Sequence, residues 1–191
     1  GRVNLSTNAV DDASANNPRV YQTVVNLATL GLNTKAIASI TFTKPAASGT
    51  TAVFGVSGQR AITSATPIEC IGWNRDIVVE NTATPPYASF SNSFDTFNNI
   101  SWYERGLGTS TKGLPQGGAF TSITSPAIQG QFPPYNGFNA VFLDAAGPTG
   151  GLNFATTAQR PYEFIIVFAA SSNGGGLGSV FVNYTDGSAS N

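Results

Sequence analysis

Ten carboxylates, one thiol and no imidazole are what this 191-residue chain offers to chemistry. With no His, and with Cys70 as the single Cys, histidine triads, Cys–His dyads, HExxH zinc sites and zinc fingers are all excluded. An enzyme built from this chain would have to work through carboxylates, as glycosidases do with a pair flanking the scissile bond. Glu80, Asp95, Glu104 and Asp144 are the candidates. Asp76 and Glu80 bracket a predicted strand, where a spacing of four puts them on one face but roughly 13 Å apart, too far for a retaining pair. The simpler reading of Arg75, Asp76, Glu80, Glu104 and Arg105 is ion pairing at strand ends. No catalytic residue is assigned, and the chain is read as non-enzymatic. Cys70 lies in Ile68-Glu69-Cys70-Ile71 with no cationic cluster to lower its pKa, so it reads as a small buried hydrophobe.

Binding chemistry is better supplied. Sugars stack their C–H faces on aromatic rings while amides and carboxylates hydrogen-bond their hydroxyls. Trp73, Tyr87, Trp102, Tyr103 and Tyr135 stand beside Asn74, Asn98, Asn99, Asn136 and Asn139. Trp73 and Trp102 adjoin predicted strands, which favours core packing, although Trp102 is kept among the glycan candidates. Tyr87 and Tyr135 each follow a pair of prolines and are the better surface candidates, with Asn136 beside Tyr135 in Pro133-Pro134-Tyr135-Asn136-Gly137-Phe138. Calcium is the one metal the residue types allow, with Asp11, Asp12 and Asp144 as weak ligands. No loop has the Asp/Asn spacing of an EF-hand, and no cofactor is expected. The runs Gly174-Gly175-Gly176 and Gly147-Pro148-Thr149-Gly150-Gly151 lack the fingerprint of phosphate cradles and read as turns.

The elements that must position these residues are short runs rich in β-branched and aromatic residues between Gly, Pro, Asn and Ser. Val20–Leu27, Ile40–Thr43, Val53–Val56 and Val180–Tyr184 alternate partly and read as half-buried strands. Phe164-Ile165-Ile166-Val167-Phe168 is apolar on both faces, which predicts a central strand covered on both sides or one whose second face a partner buries. Further strands are expected at Ile77–Glu80, Ile100–Tyr103, Ala119–Ile123, Ala140–Leu143 and Gly151–Phe154, with almost no helix. The fold class that follows is all-β: one domain over residues 1–191, a two-sheet antiparallel sandwich of jelly-roll type. A faint internal echo lays Leu152–Gly187 against Val25–Arg60, matching Asn153, Ala155, Thr156, Gly176, Val180 and Phe181 to Asn26, Ala28, Thr29, Gly49, Val53 and Phe54. Two equivalent edges of pseudo-symmetric sheets would give such a match.

Several stretches resemble a poorly characterised repeat module of large secreted and surface-anchored bacterial proteins. They include Gly72-Trp73-Asn74-Arg75-Asp76-Ile77-Val78-Val79-Glu80-Asn81, Gly113-Leu114-Pro115, Pro134-Tyr135-Asn136, Ser171–Gly176 and Asn183-Tyr184-Thr185-Asp186-Gly187. On the N-terminal side Arg2–Ser6, Asn17–Gln22, Leu30–Asn33 and Ile40–Pro45 are also similar to it. The resemblance implies an extracellular β-sandwich and no known reaction. It also implies a permuted order, since the block like residues 2–58 precedes the block like residues 72–187 here and follows it in the module. Residues 1–62 could then pack on, or be donated to, a neighbouring copy.

Charged residues are 10% of the chain and the formal charge is −1, so neither nucleic acid nor an anionic membrane is an expected partner. The longest apolar stretch, Phe164–Ala170, is far below the roughly 20 residues of a membrane-spanning helix. Met is absent, so Gly1 is not an encoded start, and the Ser, Thr, Asn and Gly that carry the polarity are typical of secreted β-proteins. The expectation is an extracellular or cell-surface structural or adhesive subunit that associates with identical copies through strand edges in a filament, sheath or matrix. The alternative is a carbohydrate-binding module of a larger secreted enzyme or adhesin, with a polysaccharide as partner.

Overall fold

The computed structural model describes residues 1–14, 17, 19–46, 49–60 and 64–190; Pro18 and part of the 1–62 block named above lie outside them. In chain order the strands are β1 (Arg2–Asn4), β2 (Val10–Asp11), β3 (Tyr21–Asn26), β4 (Ile37–Thr43), β5 (Thr50–Gln59), β6 (Ala65–Pro67), β7 (Cys70–Ile71) and β8 (Val78–Val79). They continue with β9 (Ile100–Tyr103), β10 (Ala119–Thr121), β11 (Gln129–Gln131), β12 (Val141–Leu143), β13 (Thr149–Phe154), β14 (Phe164–Ser172), β15 (Val180–Tyr184) and β16 (Ala189–Ser190). Helical structure among the described residues is limited to the 3-10 turns Tyr87–Ser89, Gln116–Gly118 and Thr156–Ala158.

Three antiparallel pairs are nested in the sequence: β3 with β14, β4 with β13, and β5 with β12. A ribbon of nested pairs must roll up for its apolar faces to meet, and rolling sends alternate pairs to opposite sheets. The result is β12-β5-β14-β3 in one sheet and β4-β13-β7 in the other, the connectivity of a jelly roll. β6 adds to β5 in the first sheet, and β15 with β16 extends the second beyond β4. The core between the two sheets includes Ile40, Phe42, Val53, Val56, Leu152, Ile165, Val167 and Val182.

The echo in the sequence has a counterpart in this topology. Exchanging β3, β4 and β5 for β13, β14 and β15 turns the row β3-β14-β5 into β13-β4-β15, which is the middle of the facing sheet. The register agrees at one junction, where Ala169↔Val53 corresponds to Phe42↔Val180. At the other it is displaced by two residues, which preserves the inward face, because Ile165 pairs with Val25 while Leu152 pairs with Ile40.

The first sheet is covered on its second face as well. Ile166 and Phe168 of β14 and Ala52 and Phe54 of β5 pack there against Ile77, Val78, Trp102, Phe132 and Tyr135. Left in water, Phe54, Ile166 and Phe168 would forfeit roughly 5–9 kcal/mol of burial, as much as the whole stability of many domains. The two-sided apolarity of residues 164–168 is therefore met within the chain by a third layer, drawn mainly from the long connection between β7 and β12. That layer holds the sheet β2-β1-β9-β8 and the hairpin β10-β11. In the hairpin the Phe120 ring lies directly over Gly130, where any Cβ would collide with it. Val3 and Leu5 pack with Val79, Tyr103 and Leu107 beneath the layer.

The expected strands are present to within a few residues, and β1, β2, β6, β7, β11 and β16 are additional. Each of these is two or three residues long, too short for a period to register. β1 pairs with β9 of its own chain, and β3, β4 and β5 are integral to the sandwich.

Candidate functional site

The aromatic residues expected to face sugars lie inside. Trp102 is 3% exposed and meets Phe54 edge-on, with ring centroids 5.6 Å apart. Its indole Nε1 is buried with no hydrogen-bond partner among the described residues. Tyr135 is buried, donates its hydroxyl to the Pro115 carbonyl at 2.9 Å, and has its phenol pushed up by burial and then by the Glu104 charge. Tyr87 is buried against Val3, Val79 and Tyr103, and its backbone N–H donates to Asn8 Oδ1 at 2.8 Å. The residues after each proline pair turn, and each turn folds its tyrosine inward instead of presenting it at the surface. Asn136 alone of the four glycan candidates is exposed, so no shared ring platform forms from them.

The carboxylates are held by backbone and amide donors. Glu104 is buried and accepts the N–H groups of Asn81 at 3.1 Å and Gly117 at 2.9 Å. Asp76 accepts from Asn139 Nδ2 at 2.8 Å; burial pushes its carboxyl up to about 6 against that bond, and the nearby Glu80 adds to the rise. Glu80 is raised by burial too, with Glu104 contributing, and its Oε2 is buried without a partner among the described residues. The ion pairs expected among Arg75, Asp76, Glu80, Glu104 and Arg105 do not form. Arg75 lies over the Phe142 ring at 4.6 Å, and the salt bridges among the described residues are Arg2–Asp11 at 3.1 Å and Lys35–Asp186 at 2.8 Å.

The calcium candidates are dispersed. Asp11 binds Arg2 and caps the N–H groups of Ala13 and Ser14, while Asp12 accepts from Tyr103 and Ser110. Asp144 caps Ala146 and Gly147 in the turn after β12. No three acidic or thiol groups among the described residues converge as a metal site would require. Cys70 packs at the margin of the sandwich core, and burial, helped by Glu69, pushes its thiol up to about 12, which keeps it protonated. No helix among the described residues is long and apolar enough to cross a membrane.

Three features open to solvent bear on binding. The first is β3, at the edge of the central sheet, paired with β14 from Tyr21↔Ala169 to Asn26↔Phe164 and with no described strand on its other side. Its sequence, Tyr-Gln-Thr-Val-Val-Asn, has no charge, no Pro and no Gly, its pairing has no bulge, and Tyr21 and Val24 are 64% and 49% exposed. The second is a groove of about 650 Å³ where β5 begins and β12 and β14 end, lined by Thr50, Thr96, Phe97, Asp144 and Asn173 among others. Phe97 is 88% exposed on a loop pinned by Asp95. That carboxylate accepts from Phe97 N, Asn98 N and Nδ2, and Asn173 Nδ2, the last at 2.7 Å. Burial opposes its charge, but these bonds hold it below the usual carboxylate range. Thr50 Oγ1 ties the same loop to β5 by donating to the Phe94 carbonyl at 2.7 Å. A smaller groove of about 420 Å³ at the other end of β5 is lined by Arg60, Glu69, Arg160 and Tyr162.

Sequence reasoning found β3 as a strand, but edge position depends on the pairing of residues far apart in the chain. It passed over Phe97, whose signal was the turn pattern Asp95-Thr96-Phe97-Asn98, in which the Asp side chain caps the N–H groups of Phe97 and Asn98, two and three residues on, and places the Phe97 ring at the tip. Set against protein-family models, curated proteins and solved structures, the chain finds no match.

Proposed function

We propose that this chain is a non-catalytic structural subunit of an extracellular or cell-surface assembly, joining identical copies through the β3 edge. The observation that carries the reading is the state of that edge. Exposed strands in natural sheets are blunted by charge, proline, bulges or brevity. The other outer strands follow the rule: β16, β7, β2 and β8 have two residues each, β10, β11 and β12 have three, and β6 has three and ends at Pro67. β3 alone among them offers six uncharged residues in regular register.

A formal charge of −1 leaves little repulsion between copies. Two β3 strands meeting about a two-fold would close a dimer, whereas β3 meeting a different edge would propagate an array. The surface location rests on the uncharged polar composition and on the resemblance to surface repeat modules. Light scattering over a concentration series tests association, with Val24→Lys placing a charge on the edge. Wild-type mass should grow with concentration while Val24→Lys stays monomeric with an unchanged fold. A wild-type monomer at every concentration, or a lysine variant that assembles equally well, contradicts the proposal.

A further inference from the structure

We infer that the groove at the β5 start binds a neutral sugar residue of a polysaccharide, stacked on Phe97. A phenyl ring 88% exposed forgoes most of the burial it could gain, roughly 2 kcal/mol for a side chain of this kind. The loop that carries it is also held in place, because Asp95 and Thr50 tie it to Asn173 and β5. A loop ordered in advance lowers the entropy cost that a ligand would otherwise meet on binding.

The groups beside it suit hydroxyls. Asp144 uses Oδ1 to cap Ala146 and Gly147, and its Oδ2 has no partner among the described residues. The Thr96 hydroxyl is likewise without a described partner and lines the same groove. An aromatic face with a carboxylate acceptor and a hydroxyl at its margin is what a pyranose requires. The lining contains one carboxylate and no cation, which favours a neutral sugar over a uronate or a sulfated one. Its volume, about 650 Å³, falls within the range of small-ligand sites, roughly 300–1,000 Å³.

Affinity electrophoresis of the full chain through gels containing dextran, laminarin, galactomannan or xylan, with pectate as the anionic counterpart, tests this. At least one neutral polysaccharide should retard the wild type, and Phe97→Ala should weaken the retardation at least tenfold without moving the melting temperature. Asp144→Asn, which keeps the Oδ1 cap, should weaken it several-fold. Phe138→Ala, removing a ring that is 62% exposed outside the groove, should leave it unchanged. No retardation by any neutral polysaccharide, retardation by pectate alone, or a Phe97→Ala variant that binds as the wild type does would overturn the inference.

Discussion

The sandwich and the third layer packed on it are built by different means. The sandwich uses long ladders: β5 has ten residues, β14 nine and β4 seven, and backbone-to-backbone pairing with inward apolar alternation does most of the holding. In the third layer the strands have two to four residues, and the chain is held largely by side chains that bond backbone groups. Asn139 is fully buried, accepts from Ile77 N at 3.0 Å, and donates to the Tyr135 and Gly137 carbonyls as well as to Asp76. Ser101 donates to the Ile77 and Asn92 carbonyls, Asn74 Oδ1 receives Phe142 N at 2.8 Å, and Glu104 receives two N–H groups. Part of the Asn and Ser content that reads as an uncharged surface is therefore internal bracing.

Phe54 lies where the two regions meet, touching Trp102 and Phe132 from the face of β5. Phe54→Ala should destabilise the whole molecule by about 3–5 kcal/mol in denaturant unfolding, through lost burial and the cavity left behind. A loss below about 1 kcal/mol would mean that the layers are not energetically joined. Asn139→Ala, which strands several buried partners, should cost about 3 kcal/mol. Hydrogen exchange should place that loss in residues 72–140 and spare β4, β5 and β14; uniform loosening would erase the distinction between the regions.

The smallest effect concerns pH. The Asp76 carboxyl is raised to about 6 in the fold from 3.8, so the native state holds its proton more tightly than the unfolded chain does. Stability from this group is present below about pH 4 and is lost as pH rises towards 6. The change should be about 1 kcal/mol after allowing for solvent screening. Glu80, raised as well, adds to the same slope. Asp76→Asn, isosteric and able to accept the same bonds, should flatten the fall in melting temperature between pH 4 and 6; an unchanged slope would show that Asp76 is not its source.

The contrast also explains what the sequence made legible. Alternation and two-sided apolarity revealed the sandwich strands, and the echo between residues 25–60 and 152–187 anticipated their exchange symmetry, because long ladders impress a period on the sequence. Two-residue strands rarely impress one, so β2, β7 and β16 depend on tertiary bonds that no local pattern records. Tyr87 and Tyr135 misled for the same reason: each lies in a local turn, but its burial is decided by distant residues, Asn8 for one and Pro115 for the other. Phe97 shows the converse, an aromatic residue that a local cap turns outwards.

The central claim is that copies meet along β3, and hydrogen exchange of the wild type at low and high protein concentration tests it directly. Amides within Tyr21–Asn26 that do not bond to β14 should become protected as the mass rises, while the remaining edges exchange at unchanged rates. A rise in mass with no added protection in β3, or no rise at all, would contradict it.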